Sequence, residues 1–391
     1  HALTTTPNHG PTKPTPSGTH PQRGGTPHHA HPAQHHAKPE SAHHAKPIGG
    51  SRLSDSSTPG CRHPGRFCWN GRMVRKIVLD VDPGHDDAIA ILLAHGNPDV
   101  ELIAITVVAG NQVLEKVTYN ARRVATLVGA RVPIARGAEF PLVREQLTDY
   151  DVTAGSTHGL SGLDGPDLPE PVTELDPRHA AQLIVDVVMQ SEPQEITLIP
   201  TGPLTNIALA MRLEPKIVER VREVVLMGGT YTRGNSTPAA EFNILADPEA
   251  ASAVFNGAWQ VTMVGLDLTH QALATQAVRE RIRAIGTPLS ATVDGWLEYF
   301  SGTYNKVFKM PYPPIHDACA VARVIDPDAV RVEDAFVAVE THGKWTYGAT
   351  VTDFLGAYGE PFNTLVATQL DLDKFWDLII DAIERLGPET A

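Results

Sequence analysis

Three features of the sequence predict an α/β fold, doubly wound about a mainly parallel central sheet with helices on its faces. Short apolar runs rich in β-branched residues alternate with segments of helical spacing from residue 73 onward. Those runs lack the period-two alternation of a half-exposed sheet, so they read as strands buried on both faces. The loops that follow them are rich in Gly, Pro, Asn and Asp, and such loops at the carboxyl ends of parallel strands are where open α/β sheets bind ligands.

In order, KIVLDV (76–81) is the first strand and DDAIAILLAH (86–95) the first helix, its leading acids suited to a helix N-terminus. LIAITVV (102–108) is a strand with no polar position except Thr106. Residues 114–128 read as a helix, 132–135 as a strand, 180–189 as a helix, 196–199 as a strand and 204–211 as a helix. Two more buried strands follow at 224–227 and 261–264. Beyond Ala274 the pattern turns helical. Near Val330 it changes to strand-like runs, and DKFWDLIIDAIERL (373–386) is an amphipathic closing helix.

Composition divides the chain at Met73, its first methionine. Residues 1–72 hold 11 of the 18 histidines and 11 of the 32 prolines, with 8 basic and 2 acidic residues. The remaining 319 residues carry 24 basic and 43 acidic ones, so a basic leader is joined to an acidic body. The leader has too few branched apolar residues to offset chain entropy, and disorder is expected. Its histidine clusters and the loose Cys61, His63, Cys68 spacing fall short of a four-ligand metal site. The expectation is an extension over 1–72, outside a natural product that starts at Met73, and one large domain over 73–391. No apolar run reaches 18 residues, three cysteines are too few for a disulfide scaffold, and the acidic body argues against nucleic-acid binding. A cytoplasmic setting is the expectation.

The chemistry concentrates in DVDPGHDD, where Asp80, Asp82, Asp86 and Asp87 fall within eight residues. Pro83-Gly84 is a turn between strand and helix, so Asp82 ends the strand while Asp86 and Asp87 open the helix. Adjacent helical residues point about 100° apart, so the two need not face the same atom. Carboxylates that converge repel unless a cation lies between them, and hard oxygen ligands favour Ca²⁺ or Mg²⁺.

DVDPGHDDAIAILLA resembles the N-terminal signature of the nucleoside hydrolases, which cleave the N-glycosidic bond of ribonucleosides. The likeness runs through TVVAGNQ, THGLSG, PTGPLTNIALA, VLMGG, EFNILADPEAA, VGLDLTHQAL and IHDACAVA, covering 73–391 and none of 1–72. It is nearest to the inosine-uridine-preferring, broad-specificity branch. The resemblance implies Ca²⁺ held by Asp82, Asp87, the main-chain carbonyl of Thr201 and Asp317, with Asp82 also the general base. It implies that Asp86, with Asn111 beside it, holds the ribose 2′- and 3′-hydroxyls. Asn235, Glu241 and Asn243 surround the 5′-hydroxyl and the rest of the sugar, and Met227 is an apolar ribose contact. His316 stands beside the leaving base, while His158 and Tyr304 line the base pocket. Nucleoside salvage and a homodimer or homotetramer are implied as well. His85 falls where the family varies and receives no role.

The chemistry is coherent on its own terms. Hydrolysis of an N-riboside needs a nucleophilic water, stabilisation of an oxocarbenium-like sugar and help for the departing base. Carboxylates and a cation serve the first two. His316, of the residue type that titrates near neutrality, could protonate the base. Asn206, Asp267 and Asp80 suit support of neighbouring groups, Cys319 suits packing, and the Gly-rich loop around His158 could close over substrate. Two other readings compete. Asp80-Val81-Asp82 after a first strand resembles the paired aspartates of haloacid-dehalogenase-type phosphatases, although the Pro-Gly-His-Asp-Asp that follows departs from that pattern. A non-catalytic nucleoside- or ribose-binding protein would need the sugar contacts but not Asp82 together with His316.

Overall fold

The computed structural model describes residues 68–69, 72–145 and 157–387. The histidine clusters of the leader, with Cys61 and His63, lie outside the described residues. A short antiparallel pair, β1 (Cys68–Trp69) and β2 (Arg72–Met73), precedes the main sheet.

That sheet has nine strands in the order β10-β9-β11-β8-β7-β6-β3-β4-β5. β3 (Arg75–Val81), β4 (Val100–Val107), β5 (Ile134–Arg136), β6 (Ile196–Pro200), β7 (Glu223–Met227), β8 (Val261–Val264) and β11 (Thr364–Leu370) run parallel to one another, and β11 is antiparallel to its other neighbour, β9. β9 (Val330–Val339) and β10 (Thr350–Asp353) pair antiparallel and finish one edge. The chain winds outward from β3 through β4 to β5, then returns to β6 on the other side of β3 and winds away through β7 and β8. The β3–β6 boundary is therefore the topological switch point, where a crevice opens at the carboxyl ends. Asp80 is in register with Pro200 there, and the Thr201 amide donates to the Asp80 carbonyl at 2.8 Å. Asp82 and Thr201 thus emerge side by side.

Successive strand residues feed two cores. On one face Ile77, Leu79, Val81, Ile105 and Val107 pack with α1 (His85–Gly96), α2 (Leu114–Leu127) and later helices. On the other, Val78, Ala104, Leu198 and Leu226 pack with α3 (Ala180–Gln190), α4 (Thr205–Leu213) and, beyond the short α5 (Ile217–Arg220) and α6 (Phe242–Ala246), α7 (Pro248–Phe255). α7 begins with Asp247 as its cap and Pro248 in its first turn, the pair that favours a helix start. After α8 (Leu266–Thr269), α9 (Gln276–Ala284) and α10 (Pro288–Phe308) complete the helical stretch, and α11 (His316–Ile325) precedes β9.

α1 is buried almost all round, as expected of a helix apolar on every face. It lies against α11 and α12 (Leu372–Leu386). The amphipathic α12 buries Phe375, Trp376, Ile379, Ile380, Ile383 and Leu386. Each such side chain contributes about 1.5–3 kcal/mol on leaving water, so the helix that carries Asp86 and Asp87 is held by the core itself.

Sequence and structure agree on each strand and helix to within a few residues. Between α4 and α9 the helices went unread: α5, α6 and α8, of four or five residues, carry too little periodicity to detect, and the eight residues of α7 make barely two turns. The run after Val330 resolves into three strands.

Asn206, at the start of α4, ties the switch point together. Its Nδ2 donates to Asp80 Oδ1 at 2.8 Å and to the Val107 carbonyl at 3.1 Å, and its Oδ1 accepts from the Ala138 amide at 2.8 Å. Asn206→Ala orphans buried groups on β3, β4 and the segment after β5. It should lower the unfolding free energy by roughly 3 kcal/mol, measured by urea denaturation; a change below about 0.5 kcal/mol, typical of an uninvolved surface position, would refute the tie.

Candidate active site

The floor of the site is acidic and dry. Asp82 ends β3 with 1% of its surface exposed, and Asp86, Asp87 and Asp317 are also buried. Two glycines clamp Asp82. A Cβ on Gly110 would fall 2.1 Å from its Oδ2, and one on Gly202 would fall 2.7 Å from its Oδ1. The AGNQ and PTGPLTN loops therefore approach the carboxylate by backbone alone. The Asn111 amide donates to Asp82 Oδ2 at 2.7 Å, and the Asn111 side chain donates to the Asp82 carbonyl at 3.1 Å. Among the described residues Asp82 Oδ1 has no hydrogen-bond partner, and neither does Asp86 Oδ1. Asp87 is better satisfied: the Gly84 amide donates to it at 3.0 Å and the Thr201 hydroxyl at 2.8 Å.

Asp317 and His316 open α11, which delivers both to the same place. Carboxylate oxygens of Asp86, Asp87 and Asp317 lie within 4.8 Å of one another. Burial and then Asp87 push Asp86 up to about 8. Burial, followed by the surrounding acids, holds Asp82 and Asp317 well above the usual carboxylate range. His316 moves the other way. Burial and then His270 hold its imidazole well below the ordinary histidine range, so the ring is neutral at pH 7. Its Nδ1 is 2.7 Å from the Thr269 hydroxyl and its Nε2 is 2.7 Å from the Tyr304 hydroxyl.

Asp86, Asp317, His316 and Tyr304 border a cavity whose space, counting its open mouth, is about 580 Å³. One wall is polar. Asn243 donates to the Thr201 carbonyl at 2.7 Å and to the Met227 carbonyl at 3.1 Å. The carbonyl expected to be a ligand thus already accepts one hydrogen bond. Glu241 caps α6, its oxygens accepting from the amides of Asn243, Ile244 and Gly229. Burial nevertheless pushes it up to about 7. Asn235 accepts from the Phe242 amide at 3.0 Å.

The opposite wall is aromatic. Phe300, Tyr304 and Phe308 recur every four residues along one face of α10, and all three line the cavity with His158. The two phenylalanines were missed in the sequence, although their spacing around Tyr304 was a readable signal. Thr157, Ser236 and Phe242 also line the cavity and carried no such signal. Of the residues named from sequence, Asp86, Asn111, His158, Thr201, Met227, Asn235, Glu241, Asn243, Tyr304, His316 and Asp317 border the cavity. Asp82 and Asp87 lie below them, next to Asn111 and Thr201.

The donor set fits a hard cation. Buried carboxylates converge, two of them keep unpartnered oxygens, and no lysine or arginine lines the cavity to neutralise them. Asp80 belongs to a different circuit. It is fully buried, and its Oδ1 accepts from the Thr106 hydroxyl at 2.6 Å and from Asn206. Its Oδ2 has no partner among the described residues and it does not border the cavity, so it supports the strand ends.

Comparison with known proteins agrees with this geometry. Residues 77–377 match the family model for inosine-uridine preferring nucleoside hydrolases. The inosine-uridine preferring nucleoside hydrolase of Leishmania major is 55% identical over 319 residues, 81% of this chain and 99% of that protein. The pyrimidine-specific ribonucleoside hydrolase of Shigella flexneri is 42% identical over 310 residues, 79% of this chain and 97% of that protein. Among solved structures, the purine-preferring ribonucleoside hydrolase from Gardnerella vaginalis superposes with a TM-score of 0.75 at 29% identity, covering 80% of this chain and 99% of that one. With the signature loops assembled around one acidic cavity, the chain belongs to the inosine-uridine preferring nucleoside hydrolases, enzymes that act on N-glycosyl compounds.

Proposed function

We propose that the chain hydrolyses purine and pyrimidine ribonucleosides to free base and ribose, with Asp82 as general base and His316 assisting the base to leave. The observation that carries this reading is the cavity's polarity: buried carboxylates at one end, aromatic rings and a neutral histidine at the other. A ribose suits the first end and a nucleobase the second.

Asp82, Asp87, Asp317 and the Thr201 carbonyl are the groups that would hold Ca²⁺; of these, Asp87 and Asp317 have oxygens within 4.8 Å of each other and of Asp86, which would stand beside the ion. When bound, the ion supplies positive charge that keeps these acids ionised and acidifies water at the site. The free Oδ1 of Asp82 is placed to take a proton from the attacking water, while its Oδ2 is held by the Asn111 amide. The water oxygen then bonds to the anomeric carbon as the carbon–nitrogen bond breaks. Asp86 and Asn111 hold the vicinal hydroxyls. Glu241, Asn235 and Asn243 lie where the remaining sugar oxygens would be, and their anionic and amide oxygens favour the cationic sugar of the transition state.

The base departs with the bonding electron pair and needs a hydrogen. With a neutral His316 donating its Nε2 hydrogen to the Tyr304 oxygen at 2.7 Å and the Thr269 hydroxyl steadying the other ring nitrogen, the Tyr304 hydroxyl hydrogen is free to bond to the departing base nitrogen. The proton taken by Asp82 from the water returns through solvent to the released base. Uncharged donors of this kind are weaker acids than imidazolium, so the step matters most for poor leaving groups.

Asp82→Ala should cut kcat on inosine and uridine by at least about 10²–10⁴ while the fold persists by circular dichroism; near-normal turnover would remove Asp82 as the base. His316→Ala should slow inosine by a similar factor and nitrophenyl riboside by less than about tenfold, and equal losses on both would argue against leaving-group assistance. Exhaustive chelation should abolish hydrolysis and added Ca²⁺ should restore it, whereas activity that survives chelation contradicts a metal-dependent reaction. Tight binding of inosine with no release of base would support a binding protein instead.

A further inference from the structure

Asp267, in the first turn of α8, holds the loop that supplies the polar wall of the cavity, and the reaction above gives it no task. Its Oδ2 accepts from the Thr230 hydroxyl at 2.9 Å and from the Tyr231 amide at 2.7 Å, and its Oδ1 accepts from the Thr232 hydroxyl. One carboxylate thus gathers three successive residues. The chain enters this stretch through Gly229, whose φ of 78° lies in the left-handed region that favours glycine. The start of α8 is close by, since the Leu266 amide donates to the Gly229 carbonyl at 2.9 Å.

The loop is anchored at both ends. At its near end the Thr350 hydroxyl donates to the Thr230 carbonyl at 2.6 Å and accepts from the Thr230 amide at 2.9 Å. Asp267 extends that hold over Tyr231 and Thr232, and the Thr232 amide donates back to the Thr230 hydroxyl at 3.2 Å. At the far end the Gly234 amide donates to the Pro238 carbonyl at 3.2 Å, and Asn235 accepts from the Phe242 amide. Asn235 and Ser236 then face the cavity. A ribonucleoside has three free hydroxyls. With the vicinal pair at the acidic floor, the 5′-hydroxyl is the one left for this wall.

We infer that Asp267 is a positioning residue for the sugar, setting the 230–236 loop so that Asn235 and Ser236 meet the 5′-hydroxyl. The inference rests on the ribonucleoside reading. The Tyr231 amide can only donate and needs an acceptor, whereas the two threonine hydroxyls can donate or accept. Asp267→Asn therefore keeps the Tyr231 contact through its carbonyl and can donate its amine hydrogens to Thr232. Asp267→Leu keeps the bulk and loses all three bonds. Two residues on, the Thr269 hydroxyl meets His316, so a change that displaced the whole helix would slow every riboside alike.

The test is kcat/KM on inosine and on 5′-deoxyinosine, which keeps the base and the vicinal hydroxyls. The unaltered protein should favour inosine by at least about tenfold. Asp267→Leu should lower inosine by about tenfold and 5′-deoxyinosine by less than about threefold, so that most of the preference is lost. Asp267→Asn should keep the preference to within about threefold. Thr232→Val, at an exposed position, removes only the Oδ1 contact; it should lower the preference by about threefold, and it decides the matter if the leucine variant does not fold. Equal losses on both substrates, or an unmoved preference, overturn the inference while the hydrolase reading stands, as does an unaltered protein indifferent to the 5′-hydroxyl. If the unaltered protein cleaves neither riboside, the hydrolase reading fails and the inference falls with it.

Discussion

The structure depends on keeping several like charges together out of water. Asp82, Asp86, Asp87 and Asp317 are all nearly inaccessible; burial drives each towards its neutral form, and the neighbouring carboxylates add to this at Asp82, Asp86 and Asp317. What surrounds them is arranged around that problem. Backbone amides from Gly84 and Asn111 and the Thr201 hydroxyl face the oxygens, and loops with no side chain at Gly110 and Gly202 make room. Two oxygens are left over. The fold thus carries an electrostatic deficit that a bound cation would offset, and under the proposed function ion binding would be part of stability as well as of chemistry.

The same burial divides the cavity into two chemical environments. Near the acids a polar side chain is anchored on both sides, as Glu241 is by three amides. Across the cavity, rings on α10 replace water with apolar surface, and there histidines are kept neutral. His316 therefore differs from the sequence-based expectation in its charge at rest: the residue type titrates near pH 7, but this environment disfavours the cation. Its usefulness shifts from charge to the hydrogen bond it shares with Tyr304.

Much of this was readable in the chain. The apolar runs marked the strands because a parallel sheet covered on both faces needs no polar positions. DVDPGHDD placed Asp82 and the Asp86–Asp87 pair correctly because a strand, a tight turn and a helix start are local events. What escaped were relations set by packing between distant segments. Nothing near Asn243 announces that its amide reaches the Thr201 carbonyl, 42 positions away. Asp267 showed only as a supporting group because the loop it holds, Thr230 to Thr232, comes from elsewhere in the chain. The histidine-rich leader was the loudest compositional feature, and its histidine clusters lie outside the described residues.

The pairing of β3 with β6 has a consequence for the order in which the protein assembles. Asp80 and Thr201 meet across 121 positions, and Asp317 joins the acidic floor from still further along the chain. Local helices and the β3–β4 unit can form early, but the centre itself cannot exist until this distant pairing closes and α11 is laid against α1. Contacts of such separation form slowly because loop closure precedes any reward. A nascent chain would pass through collapsed states that hold Asp82, Asp86 and Asp87 without Thr201 or Asp317. In those states the cation has only part of its cage, so tight ion binding would report that folding is complete.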